Sequence, residues 1–526
     1  MAKSDKARKG TRSKAKSGPK TNSASKGKLR LDGHSLTLED LRKIAAGNVT
    51  LTISSSAARE VRHSARLVDR AAHGEDPRYG INTGFGRFCN IRISEEELRK
   101  LQVNLIRSHA AGVGDPCAPE EVRLAIALRA NALASGNCGI RLEVIQLLLD
   151  LYNHDILPKI PRQGSVGACG DLAPLSHLAL VLIGEGEALV SGKWVSGKKA
   201  LSSAGLKPVR LEAKEGLSLI NGVQVSVAML ARACHLAEYL VDAADLTLAM
   251  SLEGFLGSLQ PFDARIHEVR PHPGQATVAA HVRRLLKGSK ILKSHENCDR
   301  VQDPYSFRCA PQVHGSVRDA LEWIGQTIER EANSSTDNPL VFSHEGDILS
   351  GGNFHGAPVA HAADLLSIVL CDLASISERR CEKLVNPDTS RGLPAFLSRE
   401  EGLQSGWMMA HVTASALVSR MKVLSHPASV DSMVTSAGTE DHVSMSTHAS
   451  EKALECAHQT ARVVGIELLV ALDAIDLRRP LRSGARLESR FKALREVIPG
   501  KDSDRVLSPE IEKAAQVIEE GVLIRP

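Results

Sequence analysis

One stretch of the chain surrounds a cysteine with small residues, in a pattern that allows chemistry at its side chain. Residues 164–177 read Gly-Ser-Val-Gly-Ala-Cys-Gly-Asp-Leu-Ala-Pro-Leu-Ser-His, and an apolar run follows at 178–183. Glycines let the backbone turn tightly and let other atoms approach, and Asp171 suits the N-cap of a helix that begins there. The pattern predicts that Cys169 lies in a tight loop at a helix N-terminus.

The residues alone leave two interpretations of this loop open. It is either a packing turn around an inert cysteine, or a site where the helix dipole activates the Cys169 thiolate as a nucleophile. A phosphate-binding loop is disfavoured, because no Gly-Lys-Ser/Thr follows and the glycine spacing differs.

The whole string resembles the signature of the aromatic amino acid ammonia-lyases, most closely that of the histidine ammonia-lyases among them, Gly-Ser-Val-Gly-Ala-Ser-Gly-Asp-Leu-Ala-Pro-Leu. In that family the Ala-Ser-Gly tripeptide cyclises into a methylidene-imidazolone, an electrophile built from the backbone. The resemblance implies that Ala168, Cys169 and Gly170 form this group, with no external cofactor and no metal. Cysteine stands where the family has serine, so Cys169 would lose hydrosulfide instead of hydroxide and become the same 2,3-didehydroalanine.

A second string, Tyr-Gly-Ile-Asn-Thr-Gly-Phe-Gly at 79–86, matches the family residue for residue, and its glycines predict a loop. The resemblance implies that Tyr79 takes a proton from the β-carbon of the substrate. A tyrosine has an unperturbed pKa of about 10 and is a weak base at neutral pH. We therefore expect a site that favours the phenolate, for example through helix N-termini that converge on it.

Two residues connect the chain to the histidine-specific members. His109 follows Ser108, as in those members, whereas phenylalanine-specific relatives carry Phe-Leu and tyrosine-specific ones His-Leu. Glu440 matches their Ser-Ala-Asn-Gln-Glu-Asp-His string, although Gly438 and Thr439 depart from it. The resemblance implies that His109 bonds the substrate imidazole and that Glu440 accepts from the imidazole or binds the ammonium group. By spacing alone, His109 is equally a core histidine bonded to backbone.

Five further residues fall in strings that match the family: Asn221, Gln302, Tyr305, Arg308 and Phe354. Arg308 carries a planar fork that fits a carboxylate, and the resemblance assigns it the substrate's α-carboxylate. It also implies that Tyr305 is one of the catalytic residues. Tyr305, Gln302 and Asn221 would line the pocket and position the amine and the electrophile. Phe354 would be a pocket wall, which is compatible with ordinary core packing.

Composition favours a helical fold. Aromatic residues are only 3% of the 526, while Ala and Leu are abundant. Apolar periodicity predicts helices at 37–46, 94–112, 122–133, 142–151, 222–256, 358–385 and 443–477, those at 122–133 and 142–151 being amphipathic, and a hairpin at 189–195. Ser94 and Glu97 predict a capping box at the start of the helix over 94–112. No repeat or Gly/Pro-rich linker divides the sequence. The expected fold is mostly α: an elongated central helical bundle with a smaller loop-rich N-terminal part that carries the electrophile, in a single domain over 30–526.

The N-terminal tail differs in character from the rest of the chain. Residues 1–30 hold eleven Lys/Arg and one Asp, a charge of +10 that leaves −5 for the remainder of a chain with net charge +5. We expect residues 1–29 to be disordered. The tail is either a contact for nucleic acid or another anionic surface, or a solvated extension, and we favour the extension.

Targeting and cysteine patterns favour the cytoplasm. The tail lacks the apolar segment of a signal peptide, and no later run has the uninterrupted apolar length of a membrane span. Ten cysteines without a Cys-x-x-Cys pair are typical of reduced thiols and of neither a disulfide framework nor a zinc site.

The predicted activity is the non-oxidative deamination of L-histidine to trans-urocanate and ammonia, the first step of histidine degradation to glutamate. The resemblance also implies a homotetramer whose active sites draw residues from three subunits. The substrate would add to the electrophile through its amine or through a ring carbon, a choice that the sequence leaves open. The alternatives are a phenylalanine or tyrosine ammonia-lyase or aminomutase of the same family, or a catalytically silent binding relative in which Cys169 stays a thiol.

Overall fold

The computed structural model describes residues 27–521, which contain nineteen α-helices and nine short strands. The helices are α1 (Leu38–Ala45), α2 (Ser55–Ala72), α3 (Glu95–His109), α4 (Pro119–Ala134), α5 (Leu142–Asn153), α6 (Leu172–Leu182), α7 (Gly197–Ser203), α8 (Glu215–Ile220), α9 (Gln224–Phe255), α10 (Ala264–Glu268), α11 (Pro273–Leu286), α12 (Lys290–Lys293), α13 (Tyr305–Arg308), α14 (Ala310–Ala332), α15 (Ala357–Val385), α16 (Met408–Leu424), α17 (Ser446–Leu477), α18 (Ala485–Val497) and α19 (Ser508–Glu520). The strands are β1 (Gly27–Leu31), β2 (Val49–Ile53), β3 (Val113–Pro116), β4 (Leu157–Pro158), β5 (Pro161–Gln163), β6 (Glu187–Val190), β7 (Lys193–Ser196), β8 (Leu340–Phe342) and β9 (Asp347–Leu349). The predicted α class is confirmed.

A bundle of four long helices, α9, α14, α15 and α17, forms the core. Helices α9 and α17 are 32 residues each and are buried on nearly every side. Their backbones approach closely at Gly254, where an added Cβ would lie 2.6 Å from the Cβ of Ala474. The helices predicted at 222–256, 358–385 and 443–477 are confirmed, although the last begins only at Ser446.

Helix α15 is long and apolar enough to cross a membrane by length and composition alone, which the sequence analysis did not expect. Most of its apolar stretch is buried, and it packs against α14, α16, α17 and α9. Its apolar character therefore belongs to a helix of the bundle core.

The N-terminal part, up to α8, contains α1–α8, none longer than 18 residues, and all of β1–β7. Strand β1 pairs in parallel with β2, from Gly27 opposite Val49 to Leu31 opposite Ile53. Residues 27–29 thus belong to the fold, and the tail boundary at 29 was wrong, because pairing with β2 orders their backbone. Residues 1–26, where the rest of the predicted tail falls, lie outside the described residues. The hairpin predicted at 189–195 is confirmed as β6 and β7.

Three local predictions were wrong. Helix α4 is buried along almost its whole length and is not amphipathic, because it lies between neighbouring elements on all sides. Ser94 is the N-cap of α3 but makes no capping box; its hydroxyl lies 3.4 Å from the Glu97 carboxylate instead. Helix α3 also ends at His109, before the predicted Gly112, because Ala110 leaves the helical conformation (ψ 61°).

A buried ion pair joins three helices of the bundle. Arg380 of α15 binds Glu467 of α17 through Nε–Oε1 and Nη2–Oε2 contacts of 2.5 and 2.8 Å, and both side chains are fully buried. Ser251 of α9 and Ser377 of α15 also donate hydrogen bonds to the Glu467 carboxylate, at 2.7 and 2.6 Å. The buried charges of Arg380 and Glu467 are thus paired with each other within the bundle.

We expect Glu467→Gln to lower the free energy of unfolding by about 3–5 kcal/mol, because it leaves the Arg380 charge buried without a counter-charge. Urea-induced unfolding measures this. Glu512→Gln is the matched control, since Glu512 pairs with Arg462 at the surface and exposed pairs contribute about 0–1 kcal/mol. Equal effects of the two substitutions would contradict the argument.

Candidate active site

The glycines of the cysteine loop are required by its conformation. Gly167 and Gly170 have φ of +68° and +72°, in the left-handed region that favours glycine. A Cβ at Gly170 would lie 2.2 Å from the carbonyl oxygen of Gly222, and one at Gly167 would lie 2.3 Å from Oγ of Ser444. The Asp171 amide donates to the same Gly222 carbonyl at 2.6 Å, so the loop is pressed against the backbone before α9.

Asp171 holds this loop to the ends of two long helices. Its buried carboxylate accepts hydrogen bonds from the Ser226 amide and hydroxyl near the start of α9, each at 2.7 Å. It accepts a third from the Thr447 hydroxyl at the start of α17, also at 2.7 Å. Asp171 does precede α6, but its side chain makes no cap bond to α6. Asp171 is thus the N-cap residue of α6, as predicted, but its carboxylate caps α9 across the fold and not α6.

The Cys169 side chain contacts a carboxylate. Its Sγ donates a hydrogen bond to Oε1 of Glu440 at 3.0 Å. Burial raises the pKa of the Cys169 thiol well above its usual range, and the hydrogen bond and negative charge of Glu440 raise it further. The thiol is held protonated, which contradicts the interpretation of Cys169 as a thiolate activated by the helix dipole.

Glu440 is a carboxylate with several donors. Oε2 accepts from the hydroxyls of Thr435 and Ser436 at 2.5 and 2.7 Å. Burial raises the pKa of Glu440, but the hydrogen bonds from Cys169, Thr435 and Ser436 outweigh it and bring the pKa below its ordinary value. Glu440 is ionised at neutral pH and presents a fixed negative charge beside Cys169.

His109 lies at the C-terminal end of α3, half-buried, and interacts electrostatically with Glu440. Its Nδ1 is 2.9 Å from the Leu105 carbonyl, so we assign the proton to Nδ1, which leaves Nε2 as an acceptor. Burial lowers the pKa of His109 more than the Leu105 carbonyl and Glu440 raise it, so the ring is neutral at neutral pH. The ring is bonded to the backbone through Nδ1, as spacing alone allowed, and Nε2 stays available as a hydrogen-bond acceptor.

Tyr79 lies in the predicted loop and is half-buried. Its hydroxyl oxygen accepts from the Gly86 amide at 3.5 Å. Burial raises the pKa of Tyr79, and the nearby groups Cys169, Cys89 and Glu440 raise it further. The N-termini of α6, α9 and α17 do converge beside the cysteine loop, but the expected preference for the phenolate is absent in the single chain.

Asn221 and Phe354 border the same loop. Asn221 precedes Gly222; its Nδ2 donates to the Asn338 carbonyl at 3.1 Å, while its buried Oδ1 has no partner among the described residues. Phe354 is half-buried and lies two residues before Gly356, whose amide donates to the Gly167 carbonyl at 3.3 Å. The cysteine loop with Tyr79, His109, Asn221 and Glu440 therefore forms one group, which we call the cysteine cluster, and the backbone that carries Phe354 lies beside it.

The three remaining predicted residues, Gln302, Tyr305 and Arg308, lie elsewhere in the chain. They line a second cleft together with Phe255, Lys383, Thr389 and Arg391. The Arg308 guanidinium stacks 4.4 Å from the centre of the Tyr305 ring, and Tyr305 is 69% exposed. Among the described residues, no hydrogen bond, ion pair or ring contact joins this cleft to the cysteine cluster.

Sequence reasoning missed the residues that hold the loop in place, namely Gly222, Ser226, Ser444 and Thr447. They are 50 or more residues away from the loop in the chain, and no local pattern marks them. Asp171 was the available signal, because a carboxylate inside an apolar, glycine-rich signature needs buried donors.

The model of the aromatic amino acid lyase family matches residues 36–496. The chain belongs to the aromatic amino acid lyase family. A histidine ammonia-lyase from Myxococcus xanthus is 50% identical over 500 residues, covering 95% of this chain and 98% of the relative. The crystal structure of histidine ammonia-lyase from Trypanosoma cruzi superposes with a TM-score of 0.87 at 43% identity, covering 94% of each chain.

A tyrosine aminomutase from Streptomyces globisporus shares the same fold, with a TM-score of 0.88 at 34% identity, over 94% of this chain and 98% of that one. Because enzymes of different activity share this fold, the fold alone does not select a substrate. The choice of substrate must therefore lie with side chains of the site.

We expect Gly170→Ala to disrupt the cysteine loop, because its new Cβ would overlap the Gly222 backbone. Gly192→Ala is the matched control: Gly192 has φ of +77° in the β6–β7 turn, but an added Cβ there meets nothing within 4 Å. The control should lose only the left-handed cost of about 1–2 kcal/mol. Thermal unfolding compares the two, and a Gly170 variant as stable as the Gly192 variant would contradict the required fit.

Proposed function

We propose that the chain deaminates L-histidine to trans-urocanate and ammonia, the first step of histidine degradation to glutamate. The observation that carries the proposal is the contact of Cys169, inside the family's cyclising signature, with Glu440, which interacts with His109. The 50% identical relative named histidine ammonia-lyase supports it over nearly the whole chain. The chain is a carbon–nitrogen lyase.

The loop fits the formation of a methylidene-imidazolone from Ala168, Cys169 and Gly170. Hydrogen bonds engage the carbonyls of Val166, Gly167 and Gly170. None between the described residues uses the Gly170 amide or the Ala168 carbonyl, the two groups that cyclisation joins. Gly170 also has the left-handed backbone that a tight ring needs. When formed, this group supplies electrophilic activation of the substrate, which makes ammonia a leaving group.

Histidine is selected by the pair His109 and Glu440. The neutral His109 ring presents Nε2 as an acceptor, and the ionised Glu440 presents a carboxylate; the substrate's imidazole N–H and its ammonium group are the matching donors. A phenylalanine side chain offers no donor to these acceptors, whereas a tyrosine side chain offers only its phenol O–H. A buried acceptor left without a donor costs about 1–3 kcal/mol, so the pair disfavours phenylalanine, and the choice of histidine over tyrosine rests on the 50% identical relative.

Tyr79 removes the β-proton. Its hydroxyl is near Cys169 and Glu440, and its pKa is raised by burial and by the negative charge of Glu440. The substrate's ammonium group, once bound beside Glu440, offsets that negative charge and favours the phenolate. Substrate binding and activation of the base are thereby coupled. Asn221, with its unpartnered Oδ1, and Phe354 border the same space.

The second cleft supplies the carboxylate clamp from a neighbouring subunit. Arg308 has a buried Nε without a partner among the described residues, and its fork suits the α-carboxylate of an amino acid. Gln302 and the exposed Tyr305 lie beside it. The family resemblance implies a homotetramer, and assembly would bring this cleft of one chain to the cysteine cluster of another.

The remaining assignments concern the cell and the tail. All ten cysteines are free thiols, which supports a reducing compartment, and we place the enzyme in the cytoplasm. We propose that the single domain predicted over 30–526 begins three residues earlier, with β1, and that the basic tail before it has no role in catalysis.

Purified full-length protein mixed with L-histidine should produce urocanate, measured by its ultraviolet absorbance. Tyr79→Phe should lower the rate at least about 100-fold, since general bases contribute about 10²–10⁴-fold, and it preserves the ring that packs in the loop. The mass of the peptide containing Cys169 should be lower than that of the unmodified peptide, through loss of hydrogen sulfide and water.

The two readouts separate the alternatives. A cyclised loop without urocanate would indicate another substrate of the family, and an intact thiol without urocanate would indicate a silent relative. Either result contradicts the proposal.

Shared active sites predict complementation between two inactive variants. Tyr79→Phe and Arg308→Ala are each expected to be inactive alone, but hybrids assembled from both chains should regain urocanate production at about a quarter of the sites. The control is the double variant, which carries both substitutions, mixed with either single variant. In each of these mixtures one of the two residues is missing from every chain, so no site can contain both Tyr79 and Arg308. No recovery in folded hybrids would place both residues in the site of one chain.

A further inference from the structure

Two histidines and a glutamate meet on the surface where α2 packs against the β8–β9 hairpin. Glu60 and His63 are three residues apart on α2 and share one face of the helix. His344 lies in the turn between β8 and β9, and its Nε2 is 2.7 Å from Oε2 of Glu60. The rings of His63 and His344 are 5.8 Å apart, centre to centre. None of the three belongs to the cysteine cluster or to the second cleft.

Potential ligand atoms of these residues all lie within 4.8 Å of one another. A zinc ion bound by histidine nitrogen and carboxylate oxygen takes bonds of about 2.0–2.2 Å in a tetrahedral arrangement, so its ligands lie about 3.4 Å apart. The Glu60–His344 contact is already shorter than that, and a cation would replace the hydrogen that the two atoms share. His63 and His344 are exposed and Glu60 is only half-buried, so their side chains have room to rotate toward one ion.

The backbone that carries the three residues is fixed. Hairpin residue Val341 donates to the Asn137 carbonyl at 2.8 Å, and Asn137 Nδ2 donates back to the Val341 carbonyl at 3.1 Å. Val341 and Val68 of α2 share a buried apolar cluster. The ligand-bearing turn and helix are therefore held in register by contacts that do not involve the three side chains, which lowers the entropy cost of assembling a site.

We propose that Glu60, His63 and His344 form a binding site for a divalent zinc-type cation, with the fourth position open to water. Two imidazoles and one carboxylate are a donor set that zinc accepts, whereas calcium and magnesium prefer oxygen ligands only. The bound ion joins the hairpin to α2 and stabilises that contact. The site is independent of the proposed lyase reaction.

The test uses full-length protein stripped of metal with EDTA and dialysed, then titrated with zinc chloride alone by calorimetry, with bound zinc counted after equilibrium dialysis. His344→Ala and His63→Ala should each remove one zinc ion per chain or weaken its affinity at least about 10-fold, because even groups that only orient a ligand contribute about 10–100-fold. Zinc should also raise the thermal unfolding midpoint of the parent protein, and this rise should be smaller in the same two variants.

His73→Ala is the matched control. His73 ends the same helix, is similarly exposed, and pairs with Glu95 at 2.9 Å, but it has no second histidine beside it in the described structure. Its zinc binding should equal that of the parent, and circular dichroism verifies that all variants fold. Unchanged zinc binding in both His344→Ala and His63→Ala, or an equal loss in His73→Ala, would contradict the proposed zinc site. The contact of Glu60 with His344 would then be only an exposed ion pair.

Discussion

The buried carboxylate of Asp171 is the constraint on which the site depends. It stands where the N-termini of α6, α9 and α17 meet, and it accepts hydrogen bonds from α9 and α17. A buried carboxyl group without partners is costly, and burial raises the pKa of Asp171 in spite of the hydrogen bonds it accepts, so the three donors must be in place for the chain to fold around it. Helix N-termini also favour a negative charge. The two longest helices of the bundle therefore begin at one point, and the cysteine loop is attached to that point.

The rest of the loop's geometry follows from this attachment. With Asp171 fixed and its amide bonded to the Gly222 carbonyl, Gly170 has no room for a side chain, and its backbone adopts the left-handed conformation. Ser444 and Met445, just before α17, bond the carbonyls of Gly167 and Val166. The loop is thus held on both sides by a bundle whose own charges are paired, as at Arg380 and Glu467. A rigid bundle and a strained loop are parts of one arrangement.

Periodicity predicted the bundle well and its surroundings less well. The helices α9, α15 and α17 were predictable because long apolar runs leave few alternatives, whereas α4 was misread because a pattern with some polar residues is also compatible with full burial. Arg129 shows why: it is buried in α4 yet donates to the Asn221 carbonyl and to Gln224 Oε1, partners that lie 92 and 95 residues away. Motifs located the residues of the cysteine cluster. The motifs did not predict which of the candidate site residues meet within one chain, since Arg308 and Tyr305 lie in a separate cleft.

The cysteine at position 169 changes what its neighbours do before the reaction. As a protonated thiol it donates to Glu440 Oε1, so the carboxylate is partly satisfied by the loop itself. On the proposed function, cyclisation removes the sulfur and leaves that oxygen without its donor. An ionised, partly buried acceptor then favours any ligand that brings a donor to it, and L-histidine carries such donors on its ring and on its ammonium group. Loss of the thiol would therefore create the electrophile and the acceptor for the substrate in the same step.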